Sequence, residues 1–178
     1  RVIRTDPAGL TAQYNFITAE AIVARITRAT DPDYSQKCLM AAEKCFEWCN
    51  QSDKVRNAGD LGSAVDAAIE LFKTTRKAEY KEYAIEQAAQ LEKLQVTRKK
   101  DEVGGFFYTS AQDKEPYKNI SRGCWEFHAV CHLYETFPDH AHADAWKAMI
   151  AGISLAGLVF CLYRALKQVP FFRTLMYV

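Results

Sequence analysis

Apolar residues recur along most of this chain at the i, i+3, i+4 and i+7 spacing that is typical of amphipathic helices. This period predicts six helices, at residues 7–30, 31–50, 61–75, 78–96, 121–136 and from 139 past 148. Asp-Pro pairs open the first two segments and suit helix starts, because Asp caps free amide groups and Pro fits the first turn. The only strand-like run is VGGFFYTS, within the long connection 97–120. The pattern therefore predicts an all-α fold.

One helix–turn–helix unit occurs more than once. Tyr34 corresponds to Tyr80 at an offset of 46 residues, and the apolar positions that follow each Tyr correspond as well. A further copy is predicted 62 residues later, with His142 in the Tyr position. Short turns are expected near residues 31, 77 and 138, with longer loops of varying length on the opposite side. Because one αα-hairpin cannot bury both its faces, the repeats indicate a solenoid or a toroid, and the variable loops favour part of an (α/α)6 toroid.

Composition supports a single helical domain over residues 1–178 and argues against some classes of binding partner. The 178 residues include 23 Lys and Arg against 22 Asp and Glu, a net charge of +1. This balance leaves no basic field for nucleic acid or for an anionic membrane. The chain opens with Arg1 and shows no signal peptide, so we interpret it as a processed or trimmed product.

An uncharged segment of sixteen residues runs from Ala148 to Tyr163. A membrane-spanning helix needs about 20 apolar residues. We therefore predict a buried inner helix at this segment, with a membrane segment as the alternative.

The cysteines and histidines indicate packing rather than metal chemistry. Cys38, Cys45 and Cys49 form one helical stripe, which predicts buried, reduced thiols, with a disulfide between helices as the alternative. His128 and His132 have the i, i+4 spacing that can hold zinc from one helix face. The Glu of a His-Glu-x-x-His motif is absent between them. Ordinary helix histidines are therefore predicted, with no metal and no cofactor.

Two stretches resemble a known family. The first has an Asp-Pro at residue 6, an Ala-rich helix with Arg25, and then the hairpin DPDYSQKCLMAA from Asp31. The second, LGSAVDAAIELFKTT, follows from Leu61. Together, over residues 1–148, they resemble the middle of family 9 glycoside hydrolases and related six-hairpin glycosidases. The resemblance implies an (α/α)6 barrel, inverting hydrolysis of a β-linked glycan, an oligo- or polysaccharide partner, and a periplasmic or extracellular location.

Other functions stay open beside this resemblance. Sugar epimerases and unsaturated-uronyl hydrolases share Ala-rich hairpins and the same toroid shape. A non-catalytic helical-repeat module that holds a protein partner is the alternative from a different functional class.

The family resemblance also indicates where catalysis would come from. Its catalytic base lies in an Asp-Ala-Gly-Asp motif and its proton donor is a Glu near the C-terminus, and neither motif is present here. We therefore predict an incomplete barrel whose catalytic carboxylates lie outside this chain and whose open helix faces drive self-association. Asp60 and Glu126 are weak catalytic candidates by position. The alternative for each is a carboxylate that stabilises a helix N-terminus.

The rim opposite the short turns is the predicted glycan-binding side. It carries Tyr14, Asn57, Tyr108 and Trp125, which combine aromatic faces with hydrogen-bonding groups. Sugars are bound by such combinations. Core packing is the alternative role for Trp125.

Overall fold

The structure, a computed structural model, describes residues 10–96, 104–117 and 125–152. Its helices are Thr11–Thr27 (α1), Pro32–Asn50 (α2), Ala58–Thr75 (α3), Ala78–Glu92 (α4) and Trp125–Thr136 (α5), followed by helical residues 143–152 (α6). No strand occurs in these ranges, and isolated bridges pair Gln95 with Phe107 and Tyr108 with Pro116. The predicted all-α class is confirmed.

The helices form two layers of antiparallel hairpins. α1 packs against α2 and α3, and α3 packs in turn against α4 and α5. Because every hairpin returns through an outer helix, α1, α3 and α5 run in the same direction and make an inner layer. α2 and α4 cover this layer from outside. α3 is buried along almost its whole length, from Ala58 to Leu71, because neighbouring helices surround it.

α1 ends at Thr27 rather than residue 30, and α6 begins at residue 143 rather than 139. Two further helix boundaries differ from the prediction for identifiable reasons. α3 begins at Ala58 rather than residue 61, because Asn57 and Asp60 form a capping box that draws the sequence NAGD into the first turn. α4 ends at Glu92 rather than residue 96. There the backbone amide of Val96 donates to the carbonyl of Phe106, so the chain leaves the helix to pair with the 104–117 segment.

The short turns lie where the repeat predicted them, but equivalent repeat positions differ in burial. Tyr34 and Tyr80 both occupy the third position of their helices. Tyr80 is buried because it packs edge-on against Phe46 of the preceding hairpin, with ring centroids 5.2 Å apart, and donates to Glu43 over 3.0 Å. Tyr34 is exposed, and the described residues contain no hairpin before its own. Burial at this position therefore depends on the neighbouring repeat.

A phenol pair ties the two layers together. Tyr14 of α1 is fully buried, and its hydroxyl oxygen lies 3.0 Å from that of Tyr83 on α4. The Arg56 guanidinium lies 6.0 Å from the centre of the Tyr14 ring and 5.8 Å from that of Tyr83. Burial is the main cause that raises the pKa of both phenols above their ordinary value. The folded protein therefore keeps both protons into alkaline solution.

We expect the free energy of unfolding to fall above about pH 10 and the Tyr14→Phe variant to show a shallower fall. Below that pH both states hold the phenol protons, so the contribution of the pair is intact. Above it the unfolded chain releases protons that the folded chain retains, at about 1.4 kcal/mol per pH unit for each phenol. Urea unfolding between pH 9 and 11 measures the slope. Ile17→Val, a buried control without a phenol, should lower stability equally at each pH. Equal slopes for Tyr14→Phe and Ile17→Val would contradict this account.

The remaining sequence predictions concern thiols and the uncharged segment. Cys38, Cys45, Cys49 and Cys131 are free thiols, whereas Cys124 and Cys161 lie outside the described residues. Only residues 148–152 of the uncharged segment are described, and they are helical. Among the described helices, none has both the length and the apolar character that a membrane crossing requires.

Candidate functional site

A polar cavity of about 420 Å³ lies between the three inner helices, and we call it the inner cavity. Each helix contributes one stripe of residues spaced by whole turns. The lining is Asn15, Thr18 and Ile22 from α1; Asp66, Glu70 and Lys73 from α3; and His128, Cys131, His132 and Glu135 from α5. Such a concentration of polar groups is unusual inside a helical layer, because a polar side chain in the interior must be paired to be tolerated. The inner cavity is therefore the leading candidate for a functional site.

Glu70 and Lys73, which line the inner cavity, belong to a network of ion pairs with Arg25. The Arg25 guanidinium donates to Glu70 over 2.5 Å and to the hydroxyl of Thr74 over 3.1 Å. Lys73 lies 3.2 Å from the other carboxylate oxygen of Glu70. Burial alone raises the pKa of Glu70, but hydrogen bonds from His132 and Arg25 outweigh it and lower the pKa to about 2. Glu70 is therefore a permanent anion that holds α1 and α3 together.

Two histidines of α5 meet one carboxylate of α3 beside this network. Nδ1 of His128 lies 2.8 Å from Oδ2 of Asp66, and Nδ1 of His132 lies 2.8 Å from Oδ1. The Asp66 hydrogen bond raises the pKa of His128. Burial lowers the pKa of His132, but hydrogen bonds to Asp66 and Glu70 outweigh it, so the net shift is upward. Asp66 is buried and uses both of its oxygens for these contacts.

The catalytic candidate Asp60 lies at the rim formed by the N-termini of the inner helices. Its carboxylate accepts from the backbone amide of Leu10 over 2.9 Å, from the Thr11 hydroxyl over 2.8 Å and from the amide of Asn57 over 3.3 Å. The side chain is buried. The contacts are those of a helix cap that also anchors the start of α1, the alternative that the sequence left open for this residue.

The second catalytic candidate, Glu126, lies in the first turn of α5. It is half-buried, and its Oε2 atom has no hydrogen-bond partner among the described residues. Desolvation raises the pKa of this carboxyl above its ordinary value. A raised pKa is a property that a proton donor needs, and it also follows simply from burial. The catalytic role of Glu126 remains a prediction.

The predicted sugar-binding residues lie in different environments. Tyr14 has no exposed surface and packs between the helix layers, so a glycan could reach its ring only if the layers opened. Asn57 is half-buried, and its side-chain oxygen accepts from the amide of Asp60 over 2.9 Å. Tyr108 is half-buried, with Lys114 5.1 Å from its ring centre. Trp125 begins α5, and its side chain lies outside the described part of the structure.

The rim is assembled by close backbone contacts. The amide of Ala58 donates to the carbonyl of Thr109 over 2.9 Å, which fixes the 104–117 segment at the start of α3. A Cβ atom added at Gly59 would lie 2.0 Å from the hydroxyl of Tyr117. The absence of a side chain at Gly59 therefore lets Tyr117 lie directly over the first turn of α3.

Sequence reasoning did not identify Asp66, Glu70 and Lys73. Their spacing of i, i+4 and i+7 on a helix whose other positions are mostly apolar was the available signal. A helix that is buried on every side yet carries one charged stripe must direct that stripe at charged partners or at a cavity. Asn15, next to the predicted rim residue Tyr14, also lines the inner cavity.

Comparison with known proteins supplies a family. Residues 1–153 match the sequence model of Glycosyl hydrolase family 9. The matched range includes every described residue, and with it the inner cavity and the rim. No curated protein matches the chain at a significant level.

Proposed function

Because this chain belongs to glycosyl hydrolase family 9, whose members have the (α/α)6 toroid fold of stacked helical hairpins, we propose that it is part of an inverting hydrolase of a β-linked glycan. The observation that carries the proposal is the family match over nearly all of the chain. The proposed substrate is an oligo- or polysaccharide. The catalytic carboxylates are proposed to lie outside these residues.

The inner cavity supports a glycan as the ligand. Its lining offers hydroxyl, amide, carboxylate and imidazole groups, of which Asn15, Thr18 and Glu135 come from the two helices that flank α3. Sugar hydroxyls act both as donors and as acceptors and require such a mixed set of partners. A cavity for an apolar ligand would instead be lined mainly by aliphatic and aromatic side chains.

The surroundings of Asp60 support catalytic carboxylates outside the chain. Inverting glycosidases use two carboxyl groups about 6.5–9.5 Å apart, one as proton donor and one to activate water. The carboxylate of Asp60 already accepts three hydrogen bonds within a buried cap. Releasing it to activate water would break the cap of α3 and the anchor of α1. If Glu126 were the proton donor, the carboxylate that activates water would have to come from outside this chain.

Binding and cleavage are separable in the test. We expect the chain alone to release no reducing sugar from mixed-linkage β-glucan, yet to bind β-linked oligosaccharides measurably by calorimetry or tryptophan fluorescence. Asn15→Ala and Glu135→Ala should each weaken that binding severalfold, because both side chains line the inner cavity. Glu86→Ala, on the exposed side of the outer helix α4, is the matched control and should leave binding unchanged.

Each other outcome points to a different function. Robust turnover would show that the active site is complete, and Asp60→Asn and Glu126→Gln would then identify its carboxylates. Cleavage confined to unsaturated uronyl substrates, or epimerisation of a free sugar, would favour the related toroid enzymes. Absence of glycan binding together with recovery of a protein partner would favour an interaction module. Light scattering in the same samples tests the predicted self-association, and a clean monomer would contradict it.

A further inference from the structure

Three metal-ligating side chains converge on one point of the inner cavity. His128 and His132 lie one helical turn apart on α5, and Asp66 faces them from α3, 62 residues earlier than His128. One ligand atom from each residue lies within 4.8 Å of the other two. Both imidazoles present the same atom, Nδ1, to the two oxygens of a single carboxylate. We propose that these residues form a binding site for one divalent cation of the zinc class.

The donor set suits this class of ion. Two imidazole nitrogens and one carboxylate oxygen are ligands that Zn²⁺ takes in three-residue sites, with a fourth position left for water or another oxygen ligand. Hard cations such as Mg²⁺ and Ca²⁺ instead require mostly oxygen ligands. The fourth position would face the inner cavity, which these three residues line. A water molecule or a sugar hydroxyl could therefore complete the coordination.

The ligand atoms of the three residues lie within 4.8 Å of one another, so their separations must adjust when an ion enters. Tetrahedral zinc with bonds of about 2.0–2.1 Å separates its ligand atoms by roughly 3.3 Å. The two Nδ1–carboxylate distances are 2.8 Å, so each must open by about half an ångström when an ion enters. The His128 side chain is 62% exposed and can rotate, whereas that of His132 is 13% exposed and provides a fixed ligand. The site thus has one rigid and one adjustable imidazole.

The second ring nitrogen of His132, Nε2, has a neighbouring partner both without a bound ion and with one. Lys73 lies 2.5 Å from Nε2 and donates to it in the tautomer whose proton is on Nδ1, facing Asp66. An ion on Nδ1 would displace that proton, and Nε2 would then carry one instead. Glu70 lies 3.2 Å from Nε2 and can accept it. Carboxylates that hold the distal nitrogen of a ligating histidine orient the ring and strengthen metal binding.

The charged side chains around the proposed site are also compatible with a bound cation. Asp66 and Glu70 are anions beside the site, and Glu135 lines the same cavity. Lys73 and Arg25 oppose them, but both are already paired with Glu70. The alternative is a purely structural hydrogen-bonded cluster that joins α3 to α5. That alternative predicts no stoichiometric metal binding, so the two can be told apart by experiment.

The test is titration of the chelator-treated 178-residue chain with zinc chloride by calorimetry, without glycan, and with Co²⁺ as a spectroscopic probe. We expect one ion per chain and Co²⁺ absorption bands of a low-coordinate nitrogen and oxygen site. His128→Asn, His132→Asn and Asp66→Asn should each weaken binding at least tenfold, since even the supporting partners of ligands contribute about 10–100-fold. The exposed His128 is the informative position, because 62% of its side chain is exposed and its substitution should disturb packing least of the three.

His142→Asn is the matched control. His142 belongs to a second histidine pair and lies in the exposed turn before α6. Its ring stacks on that of Trp146, with the ring centroids 6.5 Å apart. Its substitution should leave the stoichiometry and the Co²⁺ spectrum unchanged. Absence of stoichiometric binding to the wild-type chain would overturn the proposal. So would equal affinities for His128→Asn and His142→Asn, since the ion would then be held elsewhere, for example by thiols.

Discussion

Asp60→Ala is expected to lower the free energy of unfolding by about 3–4 kcal/mol, the largest effect of any substitution considered for this chain. The carboxylate accepts from Leu10, Thr11 and Asn57, at 2.9, 2.8 and 3.3 Å respectively. The Leu10 amide is in a buried residue, so it would lose its partner without gaining water. The substitution removes the anchor of α1 and the Asp60 half of the capping box of α3, whereas the Asn57 side chain still accepts from the backbone amide of residue 60.

One further variant separates charge from hydrogen bonding at Asp60, and one at another helix cap is the control. Asp60→Asn keeps one acceptor oxygen and should cost about half as much as the Ala variant. Asp31→Ala removes the cap of α2, where an exposed side chain accepts from the Tyr34 amide over 3.0 Å, and should cost about 1 kcal/mol. Urea unfolding at pH 7 measures all three. If Asp60→Ala were no worse than Asp31→Ala, the anchoring role assigned to Asp60 would be wrong.

Glu70→Ala is expected to lower the free energy of unfolding by about 2–3 kcal/mol. Glu70 is buried, and its carboxylate contacts Arg25, Lys73 and His132. Removing it leaves two cations together without a counter-charge at the junction of α1, α3 and α5. The Arg25 and Lys73 side chains are 34% and 31% exposed, so water compensates in part, and the cost falls below that of a fully buried pair.

A surface ion pair of similar geometry is the control. Glu43 lies 2.7 Å from Lys77, whose side chain is 52% exposed. Lys77→Ala, which leaves the hydrogen bond from Tyr80 to Glu43 in place, should cost no more than about 1 kcal/mol, and its effect should shrink in high salt. A double-mutant cycle of Arg25→Ala with Glu70→Ala should show coupling above about 1 kcal/mol. Equal costs for Glu70→Ala and Lys77→Ala would show that the buried network adds nothing.

The helices and the turns between them could be predicted from the sequence alone. The helical period, the Asp-Pro start at Asp31 and the short turns near residues 77 and 138 predicted hairpins that the structure contains. These features depend on residues within one or two turns of each other, because helix caps and amphipathic spacing are local interactions. The resemblance to family 9 glycoside hydrolases could also be recognised in the sequence, and the family match over residues 1–153 confirms it.

The tertiary structure alone decided which side chains meet. Asp66 and His132 are 66 positions apart, and their contact depends on how far α5 is rotated against α3, which no local pattern encodes. The same holds for Tyr80, whose burial depends on α2, and for Asp60, whose role as an anchor depends on where α1 begins. Helix formation is specified by neighbours in sequence, whereas convergence on a cavity is specified by packing around α3. For this reason the sequence determined the hairpins of this protein, and only the folded arrangement determined its inner cavity and the histidine–aspartate cluster within it.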